Sequence, residues 1–347
     1  MSTLLKMKIS FFIPDTYKLP FVGYNYNKMS ASSWIRCLQL IPYFKKEGIA
    51  VSVNKEMPGV DCAIFLRRWS DIDYLLAEKL QKTGVKIFLD TPVNYFSDAD
   101  HSAFTKTTRH LFRKFANLAD GIICASENIA NYARKLEYNA LCIEDAVDME
   151  KIVRNQQKNA DLIWAGTAEK AEILNFLLPI INANNWKLTV ITEKRPNLNG
   201  DFNFEKLPAN HTKGRSKKHY NTLSSTERLN PLRGIEWNYS TFFTELSKGK
   251  VGIFPRNCDN DYDRGHSFYK IGIFLASHVP VIYSPVPEYA KIANAANSIR
   301  INNLAPKEWE HQIKQVLSKR WTPDFTNNPI EEYTCQAIAE KYKKILL

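Results

Sequence analysis

Runs of consecutive apolar residues alternate along this chain with segments whose apolar residues recur at helical spacing. Because uninterrupted apolarity is typical of strands covered on both faces, these runs predict the strands of a parallel sheet. Their alternation with helical segments predicts repeated βαβ units and therefore an α/β fold. The predicted strands of the first half span 8–14, 61–66, 85–90, 121–126 and 140–144.

The same alternation begins again after a polar stretch at 149–160. The elements predicted there are strands at 161–166, 187–192, 250–255 and 280–284 and a helix at 169–181. We therefore predict two Rossmann-like domains that face each other across a cleft, the first at 1–150 and the second at 151–329. A final helix at 330–347 either completes the second domain or crosses back to the first.

Two segments depart from the regular pattern. In the first helix, Ser32 or Ser33 is placed to cap the N-terminus, and Pro42 is expected to kink or shorten the helix. Between 209 and 234 the periodicity fails and the residues are polar and basic. Such a long segment predicts either a solvated, mobile loop or an ordered element that binds anions or a membrane.

Length, cysteine content and charge narrow the class of protein. A chain of 347 residues exceeds the size at which one core keeps growing, which again favours two domains. No apolar run approaches the roughly 20 residues that cross a bilayer, and the start lacks a signal-peptide pattern, so we expect a cytoplasmic protein. Six cysteines without paired spacing predict neither disulfides nor a zinc site. The net charge of +11 indicates an anionic partner, whether nucleic acid, a phosphorylated substrate or an acidic membrane.

Ligands of open α/β sheets bind beyond the carboxyl ends of the strands, which points to two loops. In the loop at 164–167, Gly166 permits close backbone approach, so a diphosphate could rest beside Thr167, although an ordinary tight turn fits equally well. The loop at 256–270 follows a strand and carries cations, a glycine and a hydroxyl. It could cradle an anion or be a surface loop whose acidic residues pair with neighbouring bases. The anion-site candidates are Gly166, Thr167, Arg256, Arg264, Gly265, Ser267 and Lys270.

The segment at 250–290, KVGIFPRNCDNDYDRGHSFYKIGIFLASHVPVIYSPVPEYA, resembles the donor-site region of family-4-like glycosyltransferases of bacterial surface-polysaccharide biosynthesis. In that family a strand ending in Pro leads to an R-G-K-S-x-x-K segment, an apolar helix and a Gly-x-Pro-Val-Ile strand. Segments 32–49, 63–91, 119–135 and 144–151 are similar to the family's first-domain elements and interdomain turn. The resemblance implies the GT-B fold, in which the second domain binds a nucleotide sugar and the first holds the acceptor.

Individual positions carry the resemblance further. Arg264 and Lys270 match basic positions near the donor diphosphate, and Ser267 matches the neighbouring hydroxyl. From its own position, Ser267 is also placed to cap the next helix. Gly166 matches the glycine of the first loop of the nucleotide domain, and Glu288 lies near a later acidic position.

Other positions depart from the family's pattern. The two glutamates that the family carries eight positions apart fall on Gly265 and Ile273, and its basic residue after the first glycine becomes Thr167. The carboxylate that commonly holds the nucleotide ribose is therefore missing. The sugar, the base of the nucleotide and the stereochemical outcome of transfer stay open.

The implied catalysis is electrostatic, because negative charge grows on the leaving diphosphate as the glycosidic bond breaks. Arg264 and Lys270 are the expected catalytic cations, and neither a metal nor a cofactor is required. Candidates for a base that activates the acceptor are Asp90, Asp98 and His101, each of which could instead be purely structural. Arg36 could face the cleft and contact a phosphate, or it could face solvent.

Two other functions are also compatible with this sequence. A nucleotide-sugar epimerase shares the architecture, and a non-catalytic protein that binds a nucleotide sugar or a glycan would explain the missing glutamates. The basic residues are scattered and form no recognised nucleic-acid motif, so we expect no nucleic-acid partner. The expected partners are a nucleotide-sugar donor, a glycan or lipid-linked acceptor, and an anionic membrane contacted peripherally at its cytoplasmic face.

Overall fold

The computed structural model describes residues 7–14, 30–98, 105–155, 157–200, 203–205, 231–294, 298–318 and 329–346. His101 and most of the basic segment at 209–234 lie outside these residues, so the predictions made for them stay predictions.

The first half forms a six-stranded parallel sheet in the order β2-β1-β3-β4-β5-β6. Its strands are β1 (Lys8–Phe12), β2 (Ala50–Val53), β3 (Cys62–Leu66), β4 (Lys86–Thr91), β5 (Gly121–Cys124) and β6 (Ala140–Cys142). Its helices are α1 (Ala31–Arg36), α2 (Ile41–Lys46), α3 (Asp71–Gln81), α4 (Lys106–Leu118) and α5 (Glu127–Lys135). The central strands are buried on both faces, which accounts for their uninterrupted apolarity.

The second half forms a seven-stranded parallel sheet in the order β13-β12-β11-β7-β8-β10-β9. Its strands are β7 (Ala160–Ala165), β8 (Leu188–Thr192), β9 (Asn203–Glu205), β10 (Leu232–Glu236), β11 (Gly249–Phe254), β12 (Val281–Tyr283) and β13 (Ile299–Arg300). The helices that follow β7 along the chain are α6 (Ala168–Ala171), α7 (Leu178–Ala183), α8 (Tyr239–Ser247), α9 (Asp261–Arg264), α10 (Tyr269–Ala276), α11 (Pro287–Ala293), α12 (Pro306–Leu317) and α13 (Cys335–Leu346).

The last helix, α13, packs against the first half of the chain. Tyr342 lies in one hydrophobic core with Phe11 of β1 and Phe44 of α2, at ring-centroid distances of 6.2 and 5.5 Å. The Tyr342 hydroxyl also donates a hydrogen bond to Asp90 at the end of β4, at 3.1 Å. Of the two predicted courses of this helix, the structure shows the return to the first half.

Prolines divide two of the predicted helices. Pro179 occupies the second position of α7 and Pro42 the second position of α2, where the missing N–H costs nothing. The helix predicted at 169–181 is therefore a short α-helix, a 3₁₀ turn and a second α-helix. The predicted cap of the first helix is wrong, since the N–H of Ser33 donates to the hydroxyl of Ser30 at 3.3 Å.

Each of the predicted strands overlaps an observed one, and β2, β9, β10 and β13 were not predicted. The β2 strand is only half-buried, so its sequence lacks a continuous apolar run. The β10 strand begins inside the segment whose pattern fails. No helix in the described ranges is both long and apolar enough to cross a membrane.

Candidate donor-binding site

Three cations from different elements of the second half converge on one cavity of about 180 Å³. Lys170 lies on α6 beyond the end of β7, Arg256 follows β11, and Lys270 lies in the first turn of α10. Trp164 of β7, Asp263 of α9 and Tyr289 of α11 also line the cavity. Because β7 and β11 are neighbouring parallel strands, their carboxyl ends bring these side chains to the same edge of the sheet.

Neither lysine of this cluster forms an ion pair with a carboxylate of the described residues, although Asp263 and Glu169 act on Lys170 and Glu193 acts on Lys270 from farther away. Among the ion pairs of the described residues, the cluster contributes only that of Arg256 with Asp263, at 2.7 Å. Burial, followed by the charge of Arg256, lowers the pKa of Lys170 to about 8. Burial, followed by the charges of Lys170 and Arg256, lowers the pKa of Lys270 well below its ordinary value. An anion in the cavity would relieve this repulsion, so the geometry favours an anionic ligand.

Gly166 brings the backbone close to this cluster. A Cβ atom at this position would lie 2.5 Å from Cη2 of Trp164 and 2.6 Å from Nζ of Lys270. The Nζ of Lys270 in turn lies 5.3 Å from the centroid of the Trp164 ring, a cation–π contact. The absence of a side chain at Gly166 therefore leaves the space that Lys270 occupies.

His266 contacts two of the three cations. Its Nε2 lies 2.9 Å from Nζ of Lys170 and 3.2 Å from Nη1 of Arg256, and its Nδ1 lies 3.1 Å from the carbonyl oxygen of Tyr262. Burial, followed by the charges of Arg256, Lys170 and Lys270, lowers the pKa of His266 well below its ordinary value. The imidazole is therefore neutral among three cations.

Sequence reasoning missed Lys170 and His266. The signal for Lys170 was its place one helical turn after Gly166, on the helix that follows the first strand of the second half. His266 lies inside the R-G-H-S segment, between the anion-site candidates Gly265 and Ser267. Nothing in a single sequence shows that its ring faces Lys170, which is 96 positions away.

Three residues of the predicted anion loop do not line the cavity, and two of them contact the first half. Arg264 is exposed and is not among the cavity-lining residues. The carbonyl of Gly265 accepts a hydrogen bond from the hydroxyl of Ser126 at 2.9 Å. The Ser267 hydroxyl donates to Asp145 and accepts only a long hydrogen bond, 3.4 Å, from the N–H of Tyr269. The predicted cap of α10 is wrong, because the helix begins after Phe268 and no side chain of the described residues caps it; Ser267 binds Asp145 instead.

Thr167 and Glu288 also lie apart from the cations. Thr167 is exposed at the start of α6 and its side chain makes no capping hydrogen bond. Glu288 is buried, accepts a hydrogen bond from the N–H of Asn128 at 3.2 Å and forms an ion pair with Lys291 at 2.7 Å. Its carboxylate therefore joins the two halves near the start of α5, and a donor-binding role stays a prediction.

The first-half candidates Asp90 and Arg36 form a buried ion pair at 2.7 Å. Arg36 is only 1% exposed and also binds Asp145 at 2.7 Å, so it faces neither the cleft nor solvent, contrary to both expectations. Burial raises the pKa of Asp90, and Tyr342 donates to its second oxygen. These contacts favour a structural role for Asp90 over a base. Asp98 is exposed and forms an ion pair with Arg113 of α4 at 2.8 Å.

The two halves meet beside the cation cluster. Tyr262 of α9 is buried in a hydrophobic core of the first half, with Tyr95 and Phe96 among its members. Trp34 of α1 and Tyr239 of α8 stack edge to face at a ring-centroid distance of 4.7 Å. Within the described parts of the chain, no group of three or more His, Cys, Asp or Glu side chains could hold a metal ion.

Comparison with known proteins defines the fold class. No protein-family model matches the sequence, and no curated protein matches it. Sucrose-phosphate synthase of Thermosynechococcus elongatus has a similar structure, with a TM-score of 0.67, 10% identity and 98% coverage of both chains. Anabaena HepE in complex with UDP and glucose has a TM-score of 0.62 and 10% identity, with coverage of 98% of this chain and 99% of that chain. S. aureus TarM has a TM-score of 0.54 and 13% identity, with coverage of 82% of this chain and 55% of that chain.

At these identities the likeness establishes the fold alone. The chain has the GT-B fold, with two parallel α/β sheets of six and seven strands. The sequence pattern predicted two Rossmann-like domains, and the family resemblance implied GT-B. The predicted fold class is therefore confirmed. An α-glucosyltransferase in complex with UDP and a 13-mer DNA shares the fold, with a TM-score of 0.60, 11% identity and 98% and 99% of the two chains covered.

Proposed function

We propose that this chain is a glycosyltransferase that moves a sugar from a nucleotide-sugar donor to a glycan or lipid-linked acceptor in surface-polysaccharide synthesis. One observation carries the proposal: Lys170, Arg256 and Lys270 converge on a cavity at the carboxyl ends of the second sheet, and neither lysine forms an ion pair within the described part of the chain. Structures of the same fold were determined with UDP and glucose or with UDP-glucose, ligands that carry a diphosphate.

The three cations would stabilise the leaving nucleoside diphosphate. When the bond between the anomeric carbon and the phosphate oxygen breaks, the electron pair goes to the phosphate oxygen, and the ring carbon becomes positively charged. A fixed cation at a growing negative charge contributes about 2–4 kcal/mol to lowering such a barrier. Asp263 orients Arg256, and the Trp164 ring lies beneath Lys270. We propose that these side chains supply the charge, without a metal or another cofactor.

The test is a calorimetric and hydrolysis screen of UDP-, GDP-, dTDP- and CMP-sugars, with Lys270→Ala and Arg256→Ala as site variants. Lys250→Ala is the matched control, because Lys250 is exposed near the opposite end of β11 and pairs with Asp161. We expect one nucleotide class to bind, both site variants to lose it, the control to retain it, and EDTA to leave turnover unchanged. Failure of every donor to bind the wild-type protein would refute the proposal.

A non-catalytic donor-binding protein is the second candidate. Its support is that the family's two glutamates are replaced by Gly265, which is packed against Asn94 and Ile129, and by Ile273, which is buried in the core. Donor binding without sugar release, in the presence of candidate acceptors, would favour this function. Because one protein of the same fold was crystallised with DNA, a DNA arm belongs in the acceptor screen; we propose that no nucleic acid is bound.

We also propose peripheral contact with an anionic membrane at its cytoplasmic face, through α3 and α4. The α4 helix contributes Lys106, Arg109, His110, Arg113 and Lys114 to one surface cavity. On adjoining α3, Ile72 and Leu75 are 77% and 62% exposed, and Asp71 pairs with Lys114 at 2.8 Å. Exposed apolar side chains beside basic ones suit the interface of an acidic bilayer.

Vesicle sedimentation tests the membrane proposal. We expect binding to vesicles that contain phosphatidylglycerol, little binding to pure phosphatidylcholine, and loss of binding in the double variant Ile72→Ser/Leu75→Ser. Lys307→Glu, at an exposed position of α12 in the other half, removes positive charge away from this surface and should bind as the wild type does. Equal binding to both kinds of vesicle would contradict a role for lipid charge.

A further inference from the structure

His266 joins the cation cluster to the other half of the molecule. The side-chain nitrogens of Lys170 and Arg256 can only donate hydrogen bonds, whereas the carbonyl of Tyr262 can only accept one. With both cations at Nε2 and the carbonyl at Nδ1, the ring must carry its proton on Nδ1 and accept at Nε2. The contacts thus fix the tautomer of the neutral imidazole.

Tyr262 provides the fixed end of this connection. Its ring is buried in the hydrophobic core of the first half and meets the His266 ring edge to face at a centroid distance of 5.1 Å. The next residue, Asp263, forms the ion pair with Arg256. The backbone that holds His266 is therefore positioned by contact between the two halves.

We infer that His266 is a positioning residue of the donor site, whose imidazole holds Lys170 and Arg256 at the cavity and ties both to Tyr262. The inference rests on the proposed function, because it assigns the two cations to a donor diphosphate. It goes beyond that function because it makes the positions of Lys170 and Arg256 depend on the burial of Tyr262 in the core of the first half. Without the imidazole, the two cations would repel each other and lose a shared acceptor.

The charged and titratable groups around the ring agree with this role. Lys170 faces it from α6, Arg256 from the loop after β11, Asp263 from α9 and Lys270 from α10. A protonated ring would lose the acceptor at Nε2 and add positive charge to the cluster. The lowered pKa of His266 keeps the ring neutral, so the acceptor persists at neutral pH.

The experiment measures binding of inorganic pyrophosphate by calorimetry, since this probe needs neither the sugar nor the base to be known. His266→Asn preserves a donor to the Tyr262 carbonyl but removes the acceptor at Nε2, whereas His266→Gln restores an acceptor near Nε2. We expect the Asn variant to bind about tenfold to a hundredfold more weakly, as for lost hydrogen bonds to charged groups, and the Gln variant to recover most of the loss. His311→Asn, an exposed histidine of α12, is the matched control.

The outcomes separate the inference from the proposed function. If Lys270→Ala loses pyrophosphate while His266→Asn binds as the wild type does, the positioning role is wrong and the donor site stands. If the wild-type protein binds no pyrophosphate, both are wrong. Should the Asn variant fail to fold, nitrogen NMR of the wild-type histidines decides: a ring protonated at Nε2, or at both nitrogens at pH 7, overturns the inference.

The dependence on Tyr262 has its own test. Tyr262→Ala should weaken pyrophosphate binding, although its ring faces the core of the first half. Combined with His266→Asn, it should weaken binding no further, because both changes break the same connection. Additive losses in the double variant would show that Tyr262 and the cations are independent, contrary to the inference.

Discussion

Lys170 makes the affinity of the site depend on pH. Its pKa of about 8 should rise when a diphosphate binds, because an opposite charge favours the protonated form. We therefore predict proton uptake on pyrophosphate binding at pH 8, and an affinity that falls as the pH rises above 8. Calorimetry in buffers of different ionisation enthalpy measures the uptake. Because pyrophosphate itself carries a proton that it can release near this pH, the wild type is compared with Lys170→Met, and equal proton uptake by the two proteins would contradict the prediction.

Gly166→Ala tests the space beside Lys270. The new Cβ would displace both the Lys270 ammonium and the Trp164 ring, so we expect weaker pyrophosphate binding and a loss of unfolding free energy of about 1–3 kcal/mol. Gly121→Ala is the control, since its Cβ would lie 2.9 Å from the Phe88 ring in the first half. It should lower stability by a similar amount in urea denaturation and leave binding unchanged; equal binding by both variants would contradict the assignment.

For single residues, the sequence predicted site side chains that follow the end of a strand. It did not predict roles that depend on partners far away in the chain. Lys270 and Arg256 were selected because each lies beyond a strand of the second half, where such sheets bind ligands. The role of Arg36 could not be predicted, because its partners Asp90 and Asp145 lie 54 and 109 positions away. A basic residue on a helix has the same appearance in the sequence whether it faces solvent or a buried carboxylate.

Among the elements, α13 stabilises the first half through its contact with β4. Tyr342→Phe removes the hydroxyl that donates to the buried carboxylate of Asp90, leaving it with Arg36 as its remaining side-chain donor among the described residues. We predict a loss of about 1–3 kcal/mol in the free energy of unfolding, measured by urea denaturation. Lys344→Ala, at an exposed position of the same helix, should change it by less than about 0.5 kcal/mol. Similar losses for both variants would contradict a specific contribution of this hydroxyl.

The sequence predicted elements best where burial was complete. Strands such as β3 and β5, buried along their whole length, read as continuous apolar runs. The β2 strand, half-buried throughout, did not, because an edge position removes the need for apolar residues on both faces. The helix at 169–181 was predicted as one element although Pro179 divides it, since periodicity alone does not register a missing N–H.

For the molecule as a whole, Gly265 sets how closely the two halves approach. A Cβ there would lie 3.1 Å from Cβ of Asn94 and 3.2 Å from Cγ1 of Ile129. We predict that Gly265→Val separates the halves, raises the radius of gyration measured by small-angle X-ray scattering, and weakens pyrophosphate binding by disturbing His266. An unchanged scattering profile would show that the interface tolerates the added side chain.

The α/β class followed from the alternation of strands and helices, which is a property of the entire chain. The contact between the halves did not, because it depends on single residues such as Tyr262, whose aromatic ring could equally have belonged to the core of its own half. The sequence does not decide the position of α13 for the same reason, since a helix with one apolar face can pack against either sheet.

The return of α13 to the first half also has a consequence for synthesis. Tyr342 and its neighbours complete the core around β1 and α2, yet the ribosome makes them after all strands of the second sheet. The usual order, in which the N-terminal domain folds first during translation, is therefore reversed for the final packing step. A nascent chain would expose the apolar face of β1 and α2 until α13 emerges from the ribosome, and a chaperone would find the most apolar surface to bind during this interval.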